Sequence, residues 1–148
     1  MKKVILLKII FSVLIFAQNS KDLHLISDEW EPEYLGCLTC SKTLLESICN
    51  KSGPYGSTIG VYSIWNSVGL YGSSVGLSSP WNTVTIEPPK IVNSKGIFTA
   101  TFTINTIDPY NDPAITAFLR KSYFKHDGNL VFVREDFCAL IESLPKQY

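Results

Sequence analysis

With 148 residues, 45% of them hydrophobic, and thirteen basic side chains against thirteen acidic ones, the chain is long enough to bury one core and too short for two comfortable domains. Its charge is balanced and its basic residues are scattered, so it offers no basic stripe to meet a phosphate backbone, and nucleic acid is excluded as a partner.

The chain opens Met1-Lys2-Lys3, runs through VILLKIIFSVLIF and reaches Ala17-Gln18-Asn19-Ser20, after which KDLHLISDEWEPE is polar and acidic. A basic start, an apolar run and a small residue at a change in character predict a secretory signal over 1–17, cleaved after Ala17. Lys8 interrupts the apolar run and Phe16 ends it, which is short of the ~20 apolar residues a membrane span needs. Cleavage leaves no stable span and removes Lys2, Lys3 and Lys8, for a net charge of about −3. Residues 18–33 read as a flexible N-terminal segment that includes His24, and 34–148 read as a single domain.

Cys37, Cys40, Cys49 and Cys138 form an even set, which in an exported chain reads as a disulfide framework of open pairing. Cys37-Leu38-Thr39-Cys40 also has the C-x-x-C spacing of a thiol oxidoreductase. Against that use, the preceding EWEPEYLG does not supply the strand of a βαβ unit. The four sulfurs could also complete a zinc site, but the second pair lacks tight spacing and export favours oxidation over metal. The expectation is four bridged cysteines, with no metal and no cofactor.

From Ser47 the chain reads SICNKSGPYGSTIGVY and from Ser63 SIWNSVGLYGSSVGLS, identical at half their positions at an offset of 16, and a third start follows at Ser79-Pro80-Trp81-Asn82. Chance gives about one match per unit, so 47–87 reads as a tandem repeat. Recurrent glycines suit close backbone approach. The opening Ser-x-Trp-Asn suits a tight turn in which Ser or Asn side chains bond local backbone. Short strands or turns stacked with aromatic rings inward are expected. Tyr55, Trp65, Tyr71 and Trp81 are at the same time the candidate ligand-binding residues, aromatics suited to carbohydrate or protein contact.

Gly72-Ser73-Ser74-Val75-Gly76 spells the G-x-S-x-G of a hydrolase elbow, and Asp108 or Asp112 and then His126 follow in the order of a catalytic triad. The counterpart of Ser74 in the preceding unit is Thr58, however, and an elbow needs a strand leading into a helix. No catalytic residue is assigned.

Pro88 to Asn105 predicts a β-hairpin (88–105) turning at Asn93-Ser94-Lys95-Gly96. In its second arm Phe98, Ala100, Phe102 and Ile104 alternate with Thr99, Thr101 and Thr103, so one face should be core and the other threonine-coated and wet. Asp112-Pro113 reads as an N-cap and first helical residue. A helical region over 112–144 is expected, broken at His126-Asp127-Gly128-Asn129, with Leu130–Val133 readable instead as a short strand. Asp108, Asn111 and Asp112 are turn and capping residues rather than calcium ligands.

YLGCLTC followed by SICN, YGS, SIWN, YGS and SPWN, then PPKIV, a hairpin and a helical end, resembles a group of small exported bacterial proteins of unknown function. The resemblance covers about Tyr34 to Cys138. Gly60 and Gly76 stand where that repeat carries more polar residues, and the third unit is truncated. The resemblance implies a bacterial source and an extracytoplasmic location, and brings no catalytic residues.

The sequence therefore predicts a disulfide-stabilised α+β domain in the periplasm, on the cell surface or secreted. It would work as a non-catalytic binding or interaction module, with carbohydrate or an envelope protein as partner. The alternatives are thiol–disulfide exchange at Cys37/Cys40 and a structural role in the envelope.

Overall fold

The computed structural model describes residues 22–145, so the signal segment read over 1–17 lies outside the described residues. Four strands, β1 (Leu23–Ile26), β2 (Tyr34–Cys37), β3 (Lys90–Asn93) and β4 (Phe98–Thr101), are followed by two helices, α1 (Pro113–Lys125) and α2 (Leu130–Ser143). The strands form one antiparallel sheet in the order β2-β1-β3-β4. The fold is thus α+β. No helix among the described residues is long and apolar enough to cross a membrane.

The segment taken for a flexible lead instead supplies a central strand. In LHLI the leucines alternate with His24 and Ile26, and Leu23 and Leu25 are buried, the period-2 pattern of a strand with one face in a core. His24 pairs with Cys37 on one side and Val92 on the other, and its ring bonds the Tyr34 hydroxyl at 2.9 Å. Four residues are too short for that alternation to stand out beside the acidic loop that follows.

The hairpin of β3 and β4 turns where Asn93 Oδ1 accepts from the N–H groups of Lys95 and Ile97 and Gly96 takes a φ of +76°. Its threonine face is not wet: Thr101 and Thr103 are buried. Thr101 donates to Asp108 at 2.9 Å, Thr99 donates to the Ile91 carbonyl, and Thr103 Oγ1 accepts from the Asn105 N–H. The returning 106–111 turn covers this face, and Phe98 at the strand's start is the residue left half-exposed.

Asp112 caps α1 by accepting from the N–H groups of Ala114 and Ile115, with Pro113 in the first turn. Asp127 and Gly128, both at positive φ, end it. Asn129 caps α2, which is helical from Leu130 rather than beginning as a strand. Ser122 of the first helix and His126 at its C-cap both donate to Asp136 of the second, at 2.7 and 2.8 Å.

Between β2 and β3 the chain has neither strand nor helix but a succession of four-residue turns, each closed by partners three positions apart. From Ser63 onward, N–H to carbonyl bonds link 66 to 63, 69 to 66, 72 to 69, 76 to 73, 79 to 76, 82 to 79 and 85 to 82, at 2.9 to 3.4 Å. The backbone also returns upon itself at short separations. Ser63 Oγ donates to the carbonyl of Tyr55, eight residues back, and Thr85 Oγ1 to that of Leu77, also eight back. Burial follows the same interval: 63–66, 71–72 and 78–82 are buried, and exposed residues cluster in the gaps between them. The 16-residue period of the sequence is therefore two turns of a coil whose inner side faces the sheet and helices.

Candidate functional site

Side chains hold the coil in register. Asn66 Nδ2 donates to the Gly60 carbonyl while its Oδ1 accepts from the Val68 N–H, and Asn82 does the same with Gly76 and Val84. Ser63 and Ser79 accept from the N–H groups of Trp65 and Trp81. These short polar side chains satisfy backbone groups that a strand ladder would otherwise pair. Gly72 is required by contact rather than by φ: a Cβ there would stand 2.1 Å from the Asn66 carbonyl oxygen.

The indoles are the coil's spine. Trp65 and Trp81 are each 1% exposed, their ring centroids lie 5.5 Å apart, and each Nε1–H donates to a backbone carbonyl, of Ile48 and Ile64 respectively. Trp81 stacks on Tyr123 of α1 at 5.7 Å with the planes 4° apart, and Trp65 packs against Phe137 of α2. Tyr71 is buried as well and Tyr55 half-buried. The four aromatics named as ligand contacts therefore do not come together on a surface. Trp65, Tyr71 and Trp81 are core, because a thin coil without helices or strands of its own needs large side chains to fill its inner side.

The cysteines pair as Cys37–Cys40 and Cys49–Cys138, with Cα separations of 5.6 and 5.7 Å. The second bridge spans 89 residues and fastens the coil to α2. Arg134 of the same helix donates to the Gly56 carbonyl at 2.7 Å; burial pulls its pKa below the ordinary arginine value, against the opposing charge of Glu135. Cys37 has no exposure and Cys40 very little. Asp22, Cys37 and Cys40 place a carboxylate oxygen and two sulfurs within 4.8 Å of one another, but bridged sulfurs are not the thiolates that bind metal.

The residues of the apparent hydrolase signature are dispersed. Ser74 lies exposed on the coil, Asp108 bonds Thr101 and Asp112 caps α1. His126 bonds Asp136, where the Ser122 hydroxyl also donates to the same carboxylate oxygen. The carboxylate occupies the middle of that set, whereas nucleophile activation needs the imidazole there.

What the coil does present is its outer side. Ile59 and Val61, Val68 and Leu70, Val75 and Leu77, and Val84 and Ile86 are 57 to 92% exposed. Each pair is the two apolar positions of one short sequence: Thr58-Ile59-Gly60-Val61, Ser67-Val68-Gly69-Leu70, Ser74-Val75-Gly76-Leu77 and Thr83-Val84-Thr85-Ile86. One such pair falls in each gap between buried stretches, so the eight side chains follow the coil as a stripe. Residues 52–86 contain no Asp, Glu, Lys, Arg or His. Beside the stripe lies the β1–β2 loop, whose Glu29 is placed 3.4 to 3.5 Å from the hydroxyls of Tyr71 and Ser78 and whose Trp30 is 97% exposed.

The stripe was within reach of the sequence. The 16-residue identity points to Trp, Tyr and Gly, while the fourfold recurrence of Ser/Thr, aliphatic, Gly/Thr, aliphatic, at intervals of nine, seven and nine residues, and the charge-free run are the signals that find it. No family model, curated protein or solved structure matches the chain.

Proposed function

We propose that this protein is a non-catalytic contact module working outside the cytoplasm, and that the outer stripe of the coil is its contact surface. The observation that carries this reading is the alignment of eight exposed aliphatic side chains along a charge-free segment. Scattered exposed apolar residues are ordinary, whereas a contiguous apolar patch marks an interaction site. The backbone beneath Val68 and Val84 is tied to Asn66 and Asn82, so the surface is pre-organised and loses little entropy on contact. Four cysteines paired in two bridges support an oxidising compartment, in keeping with the leader-like start and the resemblance to small exported bacterial proteins. A role as a structural envelope component is one form of this reading.

Carbohydrate as the partner loses its original support, since Trp65 and Trp81 are sealed and their N–H groups engaged. Thiol exchange at Cys37/Cys40 is opposed by burial, because attack needs a reachable sulfur. The test is a photoreactive residue placed singly at Val68, Val84 or, as control, Ala117 on α1, irradiated in the producing cells. Adducts from the two coil positions and none from the control are expected. No adduct from the coil, or equal yield from all three, contradicts the reading.

A further inference from the structure

We propose that the occupant of the stripe is the same stripe of a second copy of this chain, forming a two-fold pair; the inference rests on the contact-surface reading above.

Charge points this way first. A stripe without a single charged or imidazole side chain over 52–86 gives a charged partner nothing to pair with, and burying an unpaired charge is costly. A bilayer fits poorly as well. Segments that lie on membranes interleave Lys and Arg to meet anionic headgroups, whereas 52–86 has none, and the charge brought against it at Tyr71 and Ser78 is the acidic Glu29. An uncharged surface is complementary in charge to itself.

Size is the second consideration. Eight aliphatic side chains, each more than half exposed, with Tyr62 beside them at 40%, make a patch on the order of 10³ Å², larger than the ~300–600 Å² of a typical monomer's largest patch. It is also enough for the ~800 Å² that each partner contributes to a standard interface.

Spacing is the third. The aliphatic pairs begin at Ile59, Val68, Val75 and Val84, and each is set off from the next by a buried stretch that turns inward. A partner that covers the stripe must match this uneven order of apolar pairs and inward-turned stretches, and a second copy of the chain carries the same order. Closed two-fold pairs, in which one patch meets its own copy, are the commonest oligomers.

The experiment is light scattering and sedimentation on the purified protein across a concentration series, beside Val68→Glu, Val84→Glu, the milder Val68→Thr, and Ala117→Glu as a surface control. Far-ultraviolet circular dichroism verifies that each variant is folded. The wild type and Ala117→Glu should double in mass as concentration rises. Both glutamate variants should stay at the mass of one chain, and Val68→Thr should need a higher concentration to pair. A wild type of single-chain mass throughout overturns the pairing, as does a pair that persists in both glutamate variants. Binding of the single chain to neutral phosphatidylcholine vesicles, lost in Val68→Glu, also overturns it in favour of a lipid surface. Should pairing fail while Val68 still cross-links to another protein in cells, the contact-surface reading stands and the self-pairing alone falls.

Discussion

Between Leu38 and Glu87 the backbone closes four-residue turns tied by Ser, Thr and Asn side chains, whereas elsewhere the described residues form the strand ladders and two helices. The sheet and helices satisfy their backbone groups internally and pack by apolar faces. The coil has no ladder, so its order depends on what its inner side is fastened to. Those fastenings are the Cys49–Cys138 bridge, Arg134 on the Gly56 carbonyl, and Trp81 on Tyr123. The difference teaches how one segment can be both buried and displayed: its inner positions are pinned to the body while its outer ones stay exposed.

Five variants break or sharpen this contrast. The largest effect is expected on removing the long bridge. Replacing Cys49 and Cys138 together by Ser releases a loop of 89 residues, for which the chain-entropy model gives about 4–5 kcal/mol. Denaturant unfolding should show that loss, and amide exchange should show it concentrated in the coil. Trp81→Ala removes an indole in contact with Trp65, Phe102 and Tyr123 and should cost ~3–5 kcal/mol. Val84→Ala, three residues along on the outer side, should stay within ~0.5 kcal/mol. Gly72→Ala forces a methyl against the Asn66 carbonyl and should cost ~1–3 kcal/mol, measured by the same unfolding. Ser74→Ala, two residues on, should be silent in stability and in any hydrolase assay.

The helix pair offers a test in pH. Burial raises the pKa of Asp136, but hydrogen bonds from Ser122 and His126, with the charges of His126 and Lys125, outweigh it and hold the carboxyl below the ordinary aspartate value. A group depressed in the folded state contributes stability above its unfolded pKa, ~3.9 for Asp, and loses it as pH falls through the folded value. Asp136→Asn should therefore destabilise the protein at neutral pH, with the difference from wild type vanishing in strong acid. A pH-independent difference would contradict an ionic contribution.

The body was more legible than the coil. Asp112-Pro113, the break at Asp127-Gly128 and the Asn93–Gly96 turn each act through neighbouring residues, so short-range chemistry announces them. β1 was not legible, since four residues ahead of an acidic loop show too little alternation by themselves, and β2 and β3 flank them on the two sides. The threonines of β4 misled for a related reason: alternation tells which residues share a face, not what later chain covers it. At the coil the Ser-x-Trp-Asn turn chemistry and the inward rings followed from the residues. Tyr55, Trp65, Tyr71 and Trp81 were singled out as ligand contacts because aromatics serve both cores and binding sites. The aliphatic stripe stayed hidden because valine and leucine read as core wherever they stand.

The most direct test of a coil pinned on one side and displayed on the other is denaturant unfolding of wild type and Val68→Glu/Val84→Glu over a range of protein concentrations. The wild-type midpoint should rise with concentration, as linkage to pairing requires. The double variant should be concentration-independent and coincide with the wild type at high dilution. A double variant that is several kcal/mol less stable than the dilute wild type would place these valines in the core and contradict the displayed stripe.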